Sequence, residues 1–254
     1  MIGDRDLLTL RLGYYDLFVG LLWREPPAQL VVALGQGHEE RIRAARAIDP
    51  RLGEGWEAVA RLVAPGAMAD LAETAVDEYT RLFLGPGPEL NLYESYYLAG
   101  RLFDSPLAAV RSSLGELGIE KDPVYPEPED FLPFEIEVVR ALLRRQEAAL
   151  DPDAETQAVD GQAMFLKRHL LVWGPTAAGD LAGAHGAPFY QAVGTLLQGF
   201  LTLERVLVKD WGGEELRALD AVRQQFARRP GFRGRVFDVP PDPTEGTPRR
   251  GPAR

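Results

Sequence analysis

The residues in this chain best suited to chemistry are carboxylates set among aromatic rings. Positions 66–140 carry 15 Asp+Glu against 5 Lys+Arg, while the whole chain stands at −10, so everything outside that window is balanced. Inside it, Glu127-Pro128-Glu129-Asp130 leads into Phe131 and Glu135, and rings come from Tyr79, Phe83, Tyr93, Tyr96, Tyr97 and Phe103. Carboxylates beside an apolar surface suit a guanidinium, whose planar fork makes two parallel hydrogen bonds to one carboxylate. Tyrosine combines an apolar body with a polar tip and serves peptide grooves well. Each feature also has a plain structural reading. Carboxylates at a helix start satisfy free N–H groups and the positive dipole end, contributing about 0.3–1 kcal/mol each, and aromatic rings commonly fill cores. Glu135 falls on an apolar helix face, where an ionised carboxylate costs free energy unless paired. It is either the partner of a buried arginine such as Arg81 or Arg101, or an acid reserved for a cationic ligand.

Enzymatic chemistry finds little support. His38, His169 and His185 are scattered, with none in a metal-ligand spacing such as His-Glu-x-x-His. His169, among Leu170, Leu171 and Trp173, reads as a satisfied core histidine. A Gly-x-Ser-x-Gly nucleophile motif is missing. Gly85-Pro86-Gly87-Pro88 is not followed by Gly-Lys-Ser/Thr, so it reads as a helix stop and not as a phosphate cradle. Cysteine is absent, which excludes disulfides, thiolate metal sites and a Cys nucleophile. No metal and no cofactor is expected. The acidic balance argues against a nucleic-acid partner and suits a cationic ligand, whose encounter would be fast and salt-sensitive. The first 22 residues lack the plan of a secretory signal. No stretch approaches the roughly 18 uninterrupted apolar residues that span a bilayer. A soluble, cytoplasmic protein without stable membrane insertion is expected.

The elements that must position these residues are helices. Leu7, Leu8, Leu10, Tyr14, Leu17, Phe18, Leu21 and Leu22 recur at helical spacing behind a cap at Asp4, and Pro26-Pro27 ends the run. Shorter helices follow to Leu34, over 38–48 and around Trp56, stopped by Pro65-Gly66. Residues 67–84 place Met68, Leu71, Ala75, Tyr79, Leu82 and Phe83 on one face. Ser105-Pro106 opens a helix as N-cap and first residue, and 119–128 is loop. Asp130 is expected to cap the next helix, which places Phe131, Phe134, Ile136, Val139 and Leu143 on one arc with Glu135. Asp151-Pro152 starts another, and a run over 163–173 stops at Gly174-Pro175. Residues 188–208 are apolar over most of the helix circumference and belong at the centre of a bundle. Residues 214–228 add an amphipathic helix. Alternating β-branched strands do not recur. The expectation is an all-α, single-domain bundle of about nine to eleven helices over residues 1–229. A Pro/Gly/Arg-rich tail, 230–254, has the composition of a disordered segment.

Several motifs in order resemble a known family. Tyr79-x-x-Leu82-Phe83-x-Gly85-Pro86, then Tyr93-Glu94-Ser95-Tyr96-Tyr97, resembles the dedicated cytoplasmic chaperones of molybdoenzymes, the TorD/DmsD/NarJ family. Glu127-Pro128-Glu129-Asp130 leading into Phe134-Glu135 is similar to that family's acidic, Pro-containing signature between two helices. His169-Leu170-x-x-Trp173 and Phe189-Tyr190, before a long apolar helix, match its C-terminal half. The resemblance spans residues 7–209. It implies a TorD-like helical protein, non-enzymatic, that binds the twin-arginine signal peptide of a molybdopterin-dependent oxidoreductase. Such a protein holds the apo-form client back from export and assists cofactor insertion. Carried over by position, Glu127, Pro128 and Asp130 belong to the signature region, with Tyr93, Glu94 and Tyr96 nearby. Tyr79, Phe83, Phe131 and Glu135 complete the candidate peptide-binding set. Phe131 stands where the family often has a histidine, so no role of that histidine carries over. The alternatives are a small nucleotide-binding or hydrolytic enzyme, or a structural assembly subunit of the reductase; monomer and homodimer both fit.

Overall fold

Apolar residues spaced three to four apart become buried helix faces along nearly the whole chain. The computed structural model describes residues 4–62, 68–84, 87–212 and 214–227. The helices are α1 (Asp4–Leu22), α2 (Ala28–Leu34), α3 (His38–Ile48), α4 (Pro50–Leu62), α5 (Met68–Phe83), α6 (Glu94–Ala99) and α7 (Ser105–Glu116). After them come α8 (Leu132–Glu147), α9 (Pro152–Phe165), α10 (Leu171–Ala182), α11 (Pro188–Leu207) and α12 (Leu219–Ala227). A π turn, Leu166–Leu170, joins α9 to α10 without a break. Counting that rod once gives eleven helices in one bundle among the described residues, which contain no strand beyond a single bridge between Tyr93 and Phe131.

The most apolar helix, α11, does lie at the centre, packed on α4, α10, α5 and α1. Leu196, Leu197, Phe200 and Leu201 are fully buried. Phe200 meets Tyr14, Tyr15 and Phe18 of α1 at ring distances of 4.9, 5.1 and 5.5 Å. Two glycines let the neighbours approach: a Cβ on Gly199 would stand 2.8 Å from Arg51 O, and one on Gly194 would stand 2.4 Å from Ala182 N. The free N–H groups at the start of α11 are met from α5, where Glu78 accepts from Phe189 N at 3.3 Å and Tyr190 N at 3.0 Å.

Three local expectations are corrected. The cap of α7 is Asp104, whose side chain accepts from Ser105 N, so Ser105 is already helical. The helix does not stop at Gly174-Pro175, because α10 carries Pro175 in its interior. One ladder bond is lost there, at about 3 kcal/mol, but Gly174, Ala177, Ala178 and Leu181 are buried where α10 packs on α11. The last helix is shorter than 214–228, because residues 214–218 are not helical; Glu214 is instead tied to the rod through Lys167 and Arg168. The side chain of Asp4, the stops at Pro65-Gly66 and Gly85-Pro86, and the tail 230–254 lie outside the described residues.

Candidate functional site

Two helix starts meet in the middle of the acidic window. Tyr93 is the N-cap residue of α6 and Phe131 that of α8, and neither side chain caps its own helix. They face each other as an antiparallel bridge, with Glu94 N donating to Asp130 O at 2.8 Å and Leu132 N to Leu92 O at 2.9 Å. Asp130, expected to cap α8, serves α6 instead: its Oδ2 accepts from Ser95 N at 3.0 Å. The bridge sets residue 130 against the start of α6. The first turn of α8 needs less capping, since Pro133 has no N–H.

Behind the bridge lies a buried polar chain. Glu94 Oε2 pairs with His169 Nδ1 at 3.0 Å, and Ser113 Oγ lies 2.9 Å from His169 Nε2. With the ring proton on Nδ1, His169 donates to Glu94 and accepts from Ser113. Trp173 Nε1 donates to both oxygens of Glu135, at 3.1 and 3.2 Å. Glu94, Asp130 and Glu135 are 2, 0 and 0 % exposed, so none of them faces a ligand from the surface. Nor does Glu135 pair with either expected arginine: Arg81 binds Glu89 and Arg101 binds Asp104. Burial first, and the charge of Glu94 second, hold its carboxyl well above the usual 4.5. Ser113, His169 and Glu94 have the order of a nucleophile, a base and an orienting acid. All three are buried, and none lines any of five surface cavities. His169 is the core histidine its apolar neighbours indicate.

In front of the bridge is a trough. A cavity of about 420 Å³ is lined by Tyr79, Phe83, Tyr93, Glu127 and Phe131, together with Trp23, Arg24, Glu25, Leu84, Tyr125 and Pro126. Five of the ten candidates therefore come together here, from α5, the start of α6 and the segment before α8. Tyr93 OH donates to Glu127 Oε2 at 2.7 Å, and Glu25 is exposed at the rim. Among the described residues, no lysine or arginine forms an ion pair with either carboxylate. Burial, then Glu127 and Glu25, push the Tyr79 hydroxyl up to about 12. Burial and the bond to Glu127 raise Tyr93 as well. The Tyr125 hydroxyl is buried without a hydrogen-bond partner among the described residues.

The remaining candidates stand apart from the trough. Pro128 supports the turn, its carbonyl accepting from Phe131 N at 3.3 Å. Tyr96 is 38 % exposed, rests on Tyr97 at 6.0 Å, and lines none of the five cavities. Glu129 is tied to Arg111 at 2.8 Å; burial works against its charge, but the arginine prevails and lowers its pKa. Sequence reasoning missed Trp23, Glu25 and Tyr125. One signal was present: Trp23 extends the aromatic content of α1 past its last turn, to a Pro-Pro stop that needs no aromatic.

Among the described residues, no group of three or more His, Asp or Glu could hold a metal ion, and no helix is long and apolar enough to cross a membrane. Residues 45–178, just over half of the chain, match the family model described as nitrate reductase delta subunit. A protein named Chaperone protein TorD, from Aeromonas salmonicida (strain A449), is 30% identical over 155 residues, which is 61% of this chain and 69% of that protein.

Proposed function

The chain belongs to the nitrate reductase delta subunit family, which comprises molybdoenzyme-specific chaperones. On that premise we propose that its aromatic trough holds the twin-arginine signal peptide of an apo-form molybdopterin oxidoreductase. The carrying observation is that Glu25 and Glu127 flank an aromatic cavity with no cation of the protein's own on either carboxylate, among the described residues. Two adjacent guanidiniums supply the missing charge. Each can bond a carboxylate bidentately while stacking on a ring face, which a lysine ammonium does less well. The Tyr93 hydroxyl already bonds Glu127 and fixes where that carboxylate points. Binding works by occlusion: a signal held here is not presented for export while the client, in the cytoplasm, receives its cofactor. The protein itself needs neither metal nor catalytic group, and the chaperone domain comprises residues 1–229.

Isothermal titration with an Arg-Arg leader peptide and its Lys-Lys variant tests this reading. The Arg-Arg peptide is expected to bind at least tenfold more tightly. Glu127→Gln should weaken it by about 1.5–3 kcal/mol, the span for a hydrogen bond to a charged group, or roughly ten- to a hundredfold. Equal weak heats for both peptides would remove the proposal.

A further inference from the structure

The trough and the end of the chain carry opposite charge. Beyond Ala227 the sequence continues for 27 residues outside the described ones, with 7 arginines against 3 Asp+Glu, so residues 1–227 stand at −14. Two arginine pairs lie in this tail, Arg228-Arg229 directly after α12 and Arg249-Arg250 near the last residue. Adjacent guanidiniums are the groups that Glu25 and Glu127, without a cation among the described residues, are suited to bond.

The tail leaves the bundle beside the trough. Helix α12 packs on α6, with Val222 buried against Leu98 and Val172. Arg223 Nε donates to Tyr97 O at 2.7 Å. Helix α6 has six residues, about 9 Å of length, and its N-cap residue Tyr93 is a wall of the trough. From Ala227 to Arg249 the chain runs 22 residues. That length reaches up to about 75 Å when extended, against a radius of gyration of about 18 Å for a compact chain of this size. The second pair can therefore span the distance from α12 to the trough, whereas the first, one residue past the helix, has no such slack.

We propose that the tail is an internal placeholder, with Arg249-Arg250 occupying the trough at Glu25 and Glu127 while no client leader is bound. This role rests on the signal-peptide reading and adds regulation to it, because a leader must displace the tail. Tethering lets a weak ligand do this. A tethered segment meets its site at an effective concentration on the order of 1 mM, so a pair with a Kd of about 0.3 mM fills the site about three-quarters of the time. The apparent Kd of a competing leader then rises about fourfold. Only Gly251, Pro252, Ala253 and Arg254 follow the pair. A leader that adds apolar surface beyond its arginines displaces it, since burial is favourable in proportion to area.

The test uses the full chain and two double variants, Arg249→Gln with Arg250→Gln and Arg249→Lys with Arg250→Lys, which leave residues 1–227 unaltered. In isothermal titration with the Arg-Arg leader, the Gln variant should bind about fourfold more tightly than the original chain, with the Lys variant between them. A benzophenone amino acid in place of Thr247 should cross-link within its own chain to Tyr79, Phe83 or Tyr125, and excess Arg-Arg leader should abolish that product. Equal leader affinity in all three chains, cross-links away from the trough, or cross-links between two chains only would overturn the placeholder. If Arg-Arg still outbinds Lys-Lys in that case, the signal-peptide reading survives. If the cross-link to the trough forms but withstands excess leader of either kind, it is that reading which has failed, and the tail remains the occupant.

Discussion

The Glu135 carboxyl is wholly buried, accepts from Trp173 Nε1 and lies beside Glu94, with no arginine or lysine paired to it among the described residues. Burial, then Glu94, keep its proton on to a pH well above 4.5 in the folded protein. In the unfolded chain the same group ionises near its ordinary value. Between those two points the folded state binds more protons. Stability is therefore full below the ordinary value and falls as pH rises through the folded pKa, by up to about 1.4 kcal/mol per pH unit. Glu135→Gln keeps the size and an acceptor for Trp173 but has nothing to ionise. Urea unfolding at intervals from about pH 5 to about pH 8 should show the original chain losing stability as pH rises. The variant's curve should be flatter and cross above it. Parallel curves would mean that Glu135 is ionised in the folded protein. At this scale the sequence was half legible: a glutamate on an apolar face is anomalous in any helix pattern, but its partner sits on another helix and no local spacing names it.

At the scale of elements, α1 binds the bundle together with a charge as well as with its rings. Arg11, 1 % exposed, donates from Nε and Nη2 to Glu204 of α11 at 2.7 Å each and from Nη1 to Gln162 of α9 at 2.7 Å; Tyr15 OH adds a bond to Glu204 at 3.0 Å. Removing one partner strands the other, so Glu204→Leu or Arg11→Met should each cost about 3–5 kcal/mol in urea unfolding. The double variant should recover most of that loss, since an apolar pair carries no desolvation penalty. Equal, additive losses would show that the pair is not coupled. The helices themselves were legible because apolar spacing survives in the sequence: α1, α5, α8 and α11 lie close to where that spacing sets them. Arg11 was not, because an arginine inside an apolar stripe reads locally as a solvent-side residue. Pro175 misled for a related reason: local chemistry marks a stop there, and the packing of α10 on α11 overrides it. Trp23 and Tyr125 stack in the wall of the trough from segments distant in sequence, so only the folded chain brings them together.

Charge acts at the scale of the whole molecule. The excess of −10 arises within residues 66–140, the stretch that also supplies most of the trough, so on the proposed reading an approaching cation would be drawn by acids on the same stretch of chain. Some of these acids, such as Asp70, Glu73 and Asp77, are exposed on α5, the helix that carries Tyr79 and Phe83 into the trough. On the proposed reading they would attract a cation at long range, whereas Glu25 and Glu127 would hold it on contact, and the two roles separate kinetically. Long-range attraction speeds encounter and is screened over about 30 Å at 0.01 M salt but only about 3 Å at 1 M. Stopped-flow binding of the Arg-Arg leader should therefore show an association rate that falls by tenfold or more across that range, with the dissociation rate nearly constant. Neutralising Asp70, Glu73 and Asp77 together to Asn and Gln should slow association at low salt and change little at high salt. Glu127→Gln should instead speed dissociation at both, because most of the effect of a lost contact appears in the off-rate. An association rate indifferent to salt would mean that the concentrated acidity plays no part in capture, and that the contact pair at the trough works alone.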